Sequence, residues 1–179
     1  KTGLNYNGKI KIRNILDFLA NRIRPAAISS RITKTLESLK AVCYYGCLNT
    51  RVPRMKSFDT VDYPMAMDRL VELTGAQSMD WSYKTECCGG SLFLTAEEVS
   101  GELVSKILKD AEARGANCIV TACPMCQSNL DTKQEQFRAQ YGIDRPIPVI
   151  FITQLLGVAF GIDDLKLQFI QNFVPFNHA

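Results

Sequence analysis

Apolar residues recur along this chain in two rhythms. Short runs rich in β-branched and aromatic residues alternate with longer stretches spaced by three and four. Lys9 to Ile15 alternates as a short strand or an extended entry into a helix, and Ile15 to Ile23 has helical spacing through Leu16 and Leu19. Pro25 ends that helix, because proline cannot continue the hydrogen-bond ladder. Ile32 to Leu39 predicts another short helix or amphipathic turn. Lys40 to Cys47 is an apolar run closed by Gly46, a buried strand feeding a turn. Asn49, Pro53, Ser57, Asp59 and Asp62 mark residues 48–63 as a loop. Pro64 then opens a helix with a stripe of Met65, Leu70, Val71 and Leu73, ended by Gly75.

Gln77 to Tyr83 reads as a second short strand. Leu94 to Arg114 carries the clearest helical pattern. Thr95 is its expected cap, Glu97 and Glu98 fill the first turn, and Gly115 closes it. Asn117 to Ala122 is a third strand, running into Cys123-Pro-Met-Cys126 and a helix to about Tyr141. Pro146 to Ile150 is a fourth strand, followed by a helix from Thr153. Strands alternating with helices predict an α/β layered domain, a short parallel sheet flanked by helices.

Cysteines fall where three of these strands end. Cys47 follows the first, Cys87 and Cys88 lie beyond the second, and Cys123 and Cys126 follow the third, in the pattern C-x39-CCG-x33-C-x2-C. In open α/β sheets, ligands bind beyond the carboxyl ends of the strands, so the predicted topology gathers these thiols at one edge. Five thiols exceed the four of a tetrahedral zinc site and suit an iron–sulfur cluster. Adjacent thiols do not close a relaxed disulfide with each other. Both can reach one polynuclear centre if the backbone turns sharply, as Gly89 and Gly90 permit. Cys123 and Cys126 open a helix, where exposed N–H groups favour thiolates.

The other two cysteines, Cys43 and Cys118, lie inside apolar strands and read as core residues. His178 is the single histidine and sits at the end of the sequence, so no Ser/His/Asp constellation forms around it. Lys84 and Arg51 flank the candidate ligands and read either as solvated surface or as anion-binding groups. No Walker loop or G-x-G-x-x-G fingerprint occurs. A lone C-x-x-C would also suit a zinc module with a redox dithiol; the joint pattern is more specific.

Composition narrows the class further. The chain has 179 residues, 46% of them hydrophobic, and seven cysteines. The length allows one domain with a real core, and an odd cysteine count argues against a secreted disulfide scaffold. A reducing cytoplasm is the expected setting. No run reaches the ~18 apolar residues of a membrane helix. Charge is uneven: residues 1–56 hold twelve Lys/Arg and two Asp/Glu, and residues 57–179 hold nine and sixteen. A basic front suits an acidic partner or an anionic substrate. Without aromatic-interleaved basic motifs or a reader module, nucleic acid is not an expected partner. The start at Lys1, running directly into Asn5-Tyr-Asn-Gly8, reads as a piece of a longer chain.

At these residues the sequence resembles the cysteine-rich CCG domain family, above all the C-terminal such domain of heterodisulfide reductase B subunits. Tyr44-Tyr-Gly-Cys47, Tyr83 to Leu92, Cys118 to Leu130 and Thr153 to Gly157 carry the resemblance, which extends from about Tyr6 onward. It implies a lead-in over residues 1–39 from a preceding CCG domain, and a C-terminal CCG domain over 40–179. It also implies a noncubane [4Fe–4S] cluster held by Cys47, Cys87, Cys88, Cys123 and Cys126. The implied activity is that of an oxidoreductase subunit cleaving or forming a disulfide of the coenzyme M–coenzyme B type. The implied partners are a C-type iron–sulfur subunit that delivers electrons and an A-type flavin subunit. Relatives outside methanogens serve lactate, glycolate or succinate oxidation, so an electron-relay or interaction role is the alternative.

Overall fold

The computed structural model describes residues 3, 5, 7–51 and 59–177. Tyr6, Pro53, Ser57 and His178 lie outside them.

Four strands form one sheet: β1 (Lys40–Tyr44), β2 (Gln77–Met79), β3 (Cys118–Thr121) and β4 (Val149–Phe151). Their order is β2-β1-β3-β4, and each neighbouring pair is parallel. The α/β layered architecture expected from the alternation is the observed one. Chain order places β2 on one side of β1, then returns across it to β3 on the other. That makes the β1/β3 boundary the switch point, where the chain opens a crevice.

Side chains alternate across the strands, so each residue's register decides its core. Ala41, Cys43, Cys118, Val120 and Ile150 point into one apolar core. That core is shared with α1 (Ile15–Arg22), α2 (Pro25–Ser29), α3 (Ala66–Leu73) and α7 (Ile152–Ala159). Val42, Tyr44, Ile119 and Val149 face a second core. It is built with α4 (Glu97–Ala113), α5 (Pro124–Thr132) and α6 (Gln134–Tyr141). A sheet covered on both faces is what near-continuous apolar strands require.

Residues ahead of β1 join the first core. Asn14 caps α1 by accepting the Leu16 amide at 2.8 Å, and Leu16, Ile28 and Leu36 are buried. Each such side chain contributes about 1.5–3 kcal/mol of transfer free energy.

Several elements differ from expectation. Of the two forms expected for Ile32 to Leu39, the turn is the one observed. Its amides are taken elsewhere: Thr33 and Lys34 donate to Ala159 O, and Leu36 donates to Thr74 O. Pro25 begins α2 as well as ending α1, as the first helical position tolerates. Helix α3 starts at Ala66, two residues after Pro64. β2 stops at Met79, and Trp81 turns inward to donate to Cys43 O at 3.0 Å. Thr95 does not cap α4. Its amide and that of Ala96 both bond Leu92 O, closing a turn that follows the 3₁₀ turn Gly90–Leu92 and leaving Ala96 at the cap position.

The long helix after Cys123 is two, because Gln134 turns inward at the break. Its side-chain amide donates to Ile147 O at 2.7 Å and accepts the Ile147 N–H at 2.8 Å. The fourth strand lies three residues later at its start than expected, since Pro146 and Pro148 have no amide for the ladder. Beyond α7 come α8 (Asp164–Leu167) and a 3₁₀ turn, Phe169–Gln171, unforeseen in the sequence. Buried Asp131 fixes this tail by accepting the Phe173 and Val174 amides at 2.7 and 3.0 Å.

Candidate metal centre

Parallel strands end on the same edge, and the five candidate cysteines follow that edge. Cys47 stands three residues beyond Tyr44, in a turn closed by Thr50 N and Arg51 N donating to Cys47 O. Gly46 enters that turn at φ +64, a conformation open to glycine. A Cβ there would stand 3.0 Å from the Cys126 sulfur. The missing side chain is therefore what lets the β1 exit approach α5.

Cys87 and Cys88 occupy the turn after β2. Two side chains hold its backbone: Tyr44 Oη donates to Glu86 O at 2.6 Å, and Asn129 Nδ2 donates to Cys88 O at 2.7 Å. Gly89, at φ +72, packs against Ser100 and Leu103 of α4, where a Cβ would come within 3.0–3.1 Å. Cys123 caps α5, Pro124 takes its first position, and Cys126 lies in its first turn.

The thiols converge in two contiguous groups. Cys47 Sγ and Cys87 Sγ are 3.8 Å apart, too far for a disulfide bond of about 2.05 Å. Cys88, Cys123 and Cys126 lie together at the edge of the second core. The neighbouring Cys126 holds Cys88 and Cys123 down to about 6. Its own thiol is pushed far up by those two neighbours, and then by burial. Burial raises Cys47, followed by its contact with Cys87.

Cys43 and Cys118 are buried in the first core and away from this group, as expected of them. Burial pushes both thiols up.

Neither expectation for Lys84 holds. Its side chain is 2% exposed and paired with Asp68 at 2.8 Å, so it is neither solvated surface nor a free anion site. Arg51 is half exposed and leans on Thr85 and Glu86 at 3.5 and 3.8 Å. Sequence reasoning assigned no role to Tyr44, Asn129 or Asp68. A helical offset of three from Cys126 to Asn129 was the available signal for the second, because i and i+3 share a face.

The donor set fits an iron–sulfur centre. It offers five soft sulfurs from three turns, with a glycine cradle that keeps Cys126 clear. Among the described residues, no group of three or more Cys, His, Asp or Glu is arranged to hold a single metal ion.

Residues 41–131 match the family described as "Cysteine-rich domain", CCG. The chain is 34% identical over 174 residues to the B subunit of the ferredoxin/F(420)H(2)-dependent CoB-CoM heterodisulfide reductase of Methanosarcina acetivorans. That alignment covers 96% of this chain and 58% of the relative. It is 29% identical to the "8-methylmenaquinol:fumarate reductase membrane anchor subunit" of Wolinella succinogenes, over 97% of this chain and 61% of that one. This chain therefore spans about three fifths of the length of these curated relatives. No helix among the described residues is long and apolar enough to cross a membrane. A crystal structure of a hypothetical protein from Helicobacter pylori shares the fold. Its TM-score is 0.63 at 9% identity, over 87% of this chain and 29% of that one. Sheet, cysteine pattern and relatives agree: this chain belongs to the cysteine-rich CCG domain family.

Proposed function

We propose that this chain is the C-terminal CCG domain, residues 40–179 with lead-in 1–39, of an iron–sulfur redox subunit. The complex is of the heterodisulfide reductase kind and acts in the cytoplasm. Its cofactor is a noncubane [4Fe–4S] cluster held by Cys47, Cys87, Cys88, Cys123 and Cys126. The observation that carries this reading is the convergence of those thiols from three strand exits onto one edge. When bound, the cluster supplies single electrons and a metal site for a substrate sulfur.

The protein's own residues prepare that site. Tyr44 and Asn129 fix the carbonyls on either side of Cys87, so the two adjacent sulfurs diverge from a rigid turn. Gly46 leaves space beside Cys126. The N-terminus of α5 presents amides to Cys123, which favour its thiolate form. The substrate is a small-molecule disulfide or thiol, and the partners are C-type iron–sulfur and A-type flavin subunits. The basic front of the chain suits an acidic docking surface, whose attraction weakens beyond a Debye length of ~8–10 Å. The Wolinella relative supports a second reading, an electron-relay subunit of a dehydrogenase complex.

The test is anaerobic reconstitution with iron and sulfide. The expected product holds about four irons per chain, from the composition of such clusters. Its paramagnetic signal should change on adding a thiol. An unchanged signal with full iron content would favour the relay. Binding of zinc in place of iron would remove both readings.

A further inference from the structure

The two turns that bear Cys47 and Cys87 are locked to each other by a closed ring of buried polar bonds. Lys84 O accepts Tyr45 N at 2.9 Å and Gly46 N at 3.1 Å, joining the β1 exit directly to the approach to Cys87. The Lys84 ammonium donates to Asp68 Oδ1 at 2.8 Å, Pro64 O at 3.2 Å and Met65 Sδ at 3.0 Å. Asp68 returns to the first turn, because its Oδ2 accepts the Tyr45 hydroxyl at 2.7 Å. Tyr45 Oη itself accepts Met67 N at 2.7 Å, and Ser78 Oγ donates to Asp68 Oδ1 at 2.8 Å. Lys84 and Asp68 are each 2% exposed, and Tyr45 is fully buried.

An ion pair this deep is an odd choice for stability alone. Desolvation offsets much of its attraction, and a well-packed apolar pair often serves as well. What it gives here is direction. An apolar substitute would fill the volume without fixing where residue 84 places its carbonyl. Three elements meet at the pair: the β1 exit, the start of α3 and the segment entering Cys87-Cys88. A network with every member partnered specifies one arrangement.

We propose that Lys84 and Asp68, with Tyr45, are positioning residues of the cysteine centre: they set the spacing between the Cys47 and Cys87 turns. The inference rests on the metal-centre reading for its purpose. Its geometry can be tested without metal.

The first variant is the double substitution Asp68→Leu with Lys84→Met, which leaves no unpaired buried charge. The second is Tyr45→Phe, which opens the ring and keeps the ion pair. In metal-free protein, the rate of the Cys47–Cys87 disulfide under diamide is followed by peptide mapping. Two thiols there lose two protons and two electrons, and diamide is reduced to its hydrazine. The expected result is a rate at least about tenfold slower in the double variant and about threefold slower in Tyr45→Phe. Melting temperature is measured alongside, because a purely packing role would move it and leave the relative rate of that disulfide unchanged. On reconstitution, the double variant should give an altered paramagnetic signal or reduced iron. Lys84→Arg, which keeps the charge, should restore part of it. A parent-like disulfide rate in a folded double variant overturns the proposal. Should the double variant not fold, the rate in Tyr45→Phe decides in its place. Failure of the parent protein to take up iron would instead sink the metal-centre reading, while the disulfide rates still decide this one.

Discussion

The seven cysteines divide between two regions, and two of those at the strand exits behave oppositely to the two inside the strands. Cys43 and Cys118 lie within β1 and β3, have their backbones in the sheet ladder, and are fully buried, with Cys43 Sγ 3.6 Å from Ser78 Oγ. Their thiols are driven upward by desolvation. Cys88 and Cys123 are also nearly buried, at 3% and 5% exposure, yet both are held at about 6. Burial therefore does not separate the two sets. The difference is what stands next to the sulfur. Inside a strand no second thiol lies against the sulfur, and desolvation, joined at Cys43 by the nearby Asp68, favours the neutral thiol. At the strand exits the chain turns, backbone amides reach the sulfurs, and a second thiol stands beside them.

The sharpest way to break the comparison is to remove one cysteine from each region. Cys88→Ser should lose most of the bound iron and the visible absorption after reconstitution. Cys118→Ala should keep both and cost about 1 kcal/mol, the scale of a small cavity. Equal iron content in the two variants, by chemical assay, would contradict the division.

A pair of glycines tests the same contrast through the backbone. Gly46 and Gly115 have φ of +64 and +74, but Gly115 lies before β3, at the opposite edge of the sheet. Alanine in either position should cost about 1–2 kcal/mol of left-handed strain. A Cβ at Gly115 meets nothing within 4 Å, whereas one at Gly46 meets the Cys126 sulfur. Denaturant titration should therefore report similar losses, and iron binding should fall only in Gly46→Ala.

The smallest effect concerns Asp131, where burial acts on a carboxylate as it does on the strand thiols. Burial raises its pKa, opposed by the amides of Phe173 and Val174. For an acid so raised, the stabilising contribution is fully present below the unfolded value of about 3.9. It fades as pH rises through the folded value. The melting temperature of the parent, relative to Asp131→Asn, should therefore drop modestly as pH increases from about 3.9 toward neutrality. A difference that grows with pH would mean that the two amides, not burial, dominate.

Much of this was legible in the chain itself. The alternation of apolar runs with helical spacing fixed the α/β class, because side-chain period follows backbone geometry locally. The cysteine spacing located the site, because parallel strands share one exit edge. Boundaries were less legible wherever an amide found a distant partner. Ile32 to Leu39 settled as turns because its amides bond Ala159 O and Thr74 O, and the helix after Cys123 broke where Gln134 reached Ile147.

The sequence alone determined which residues could ligate a metal and which end of the sheet they would reach. Only the tertiary structure decided what holds them there. Lys84 beside the cysteine pair looked like surface in one dimension, since a lysine near a polar turn usually is. Its partner Asp68 lies sixteen residues away on another element, and its burial exists only once α3 packs beside β1. A pairing of this kind leaves no local period or spacing. It depends on the meeting of three segments, and that meeting is a property of the packed molecule.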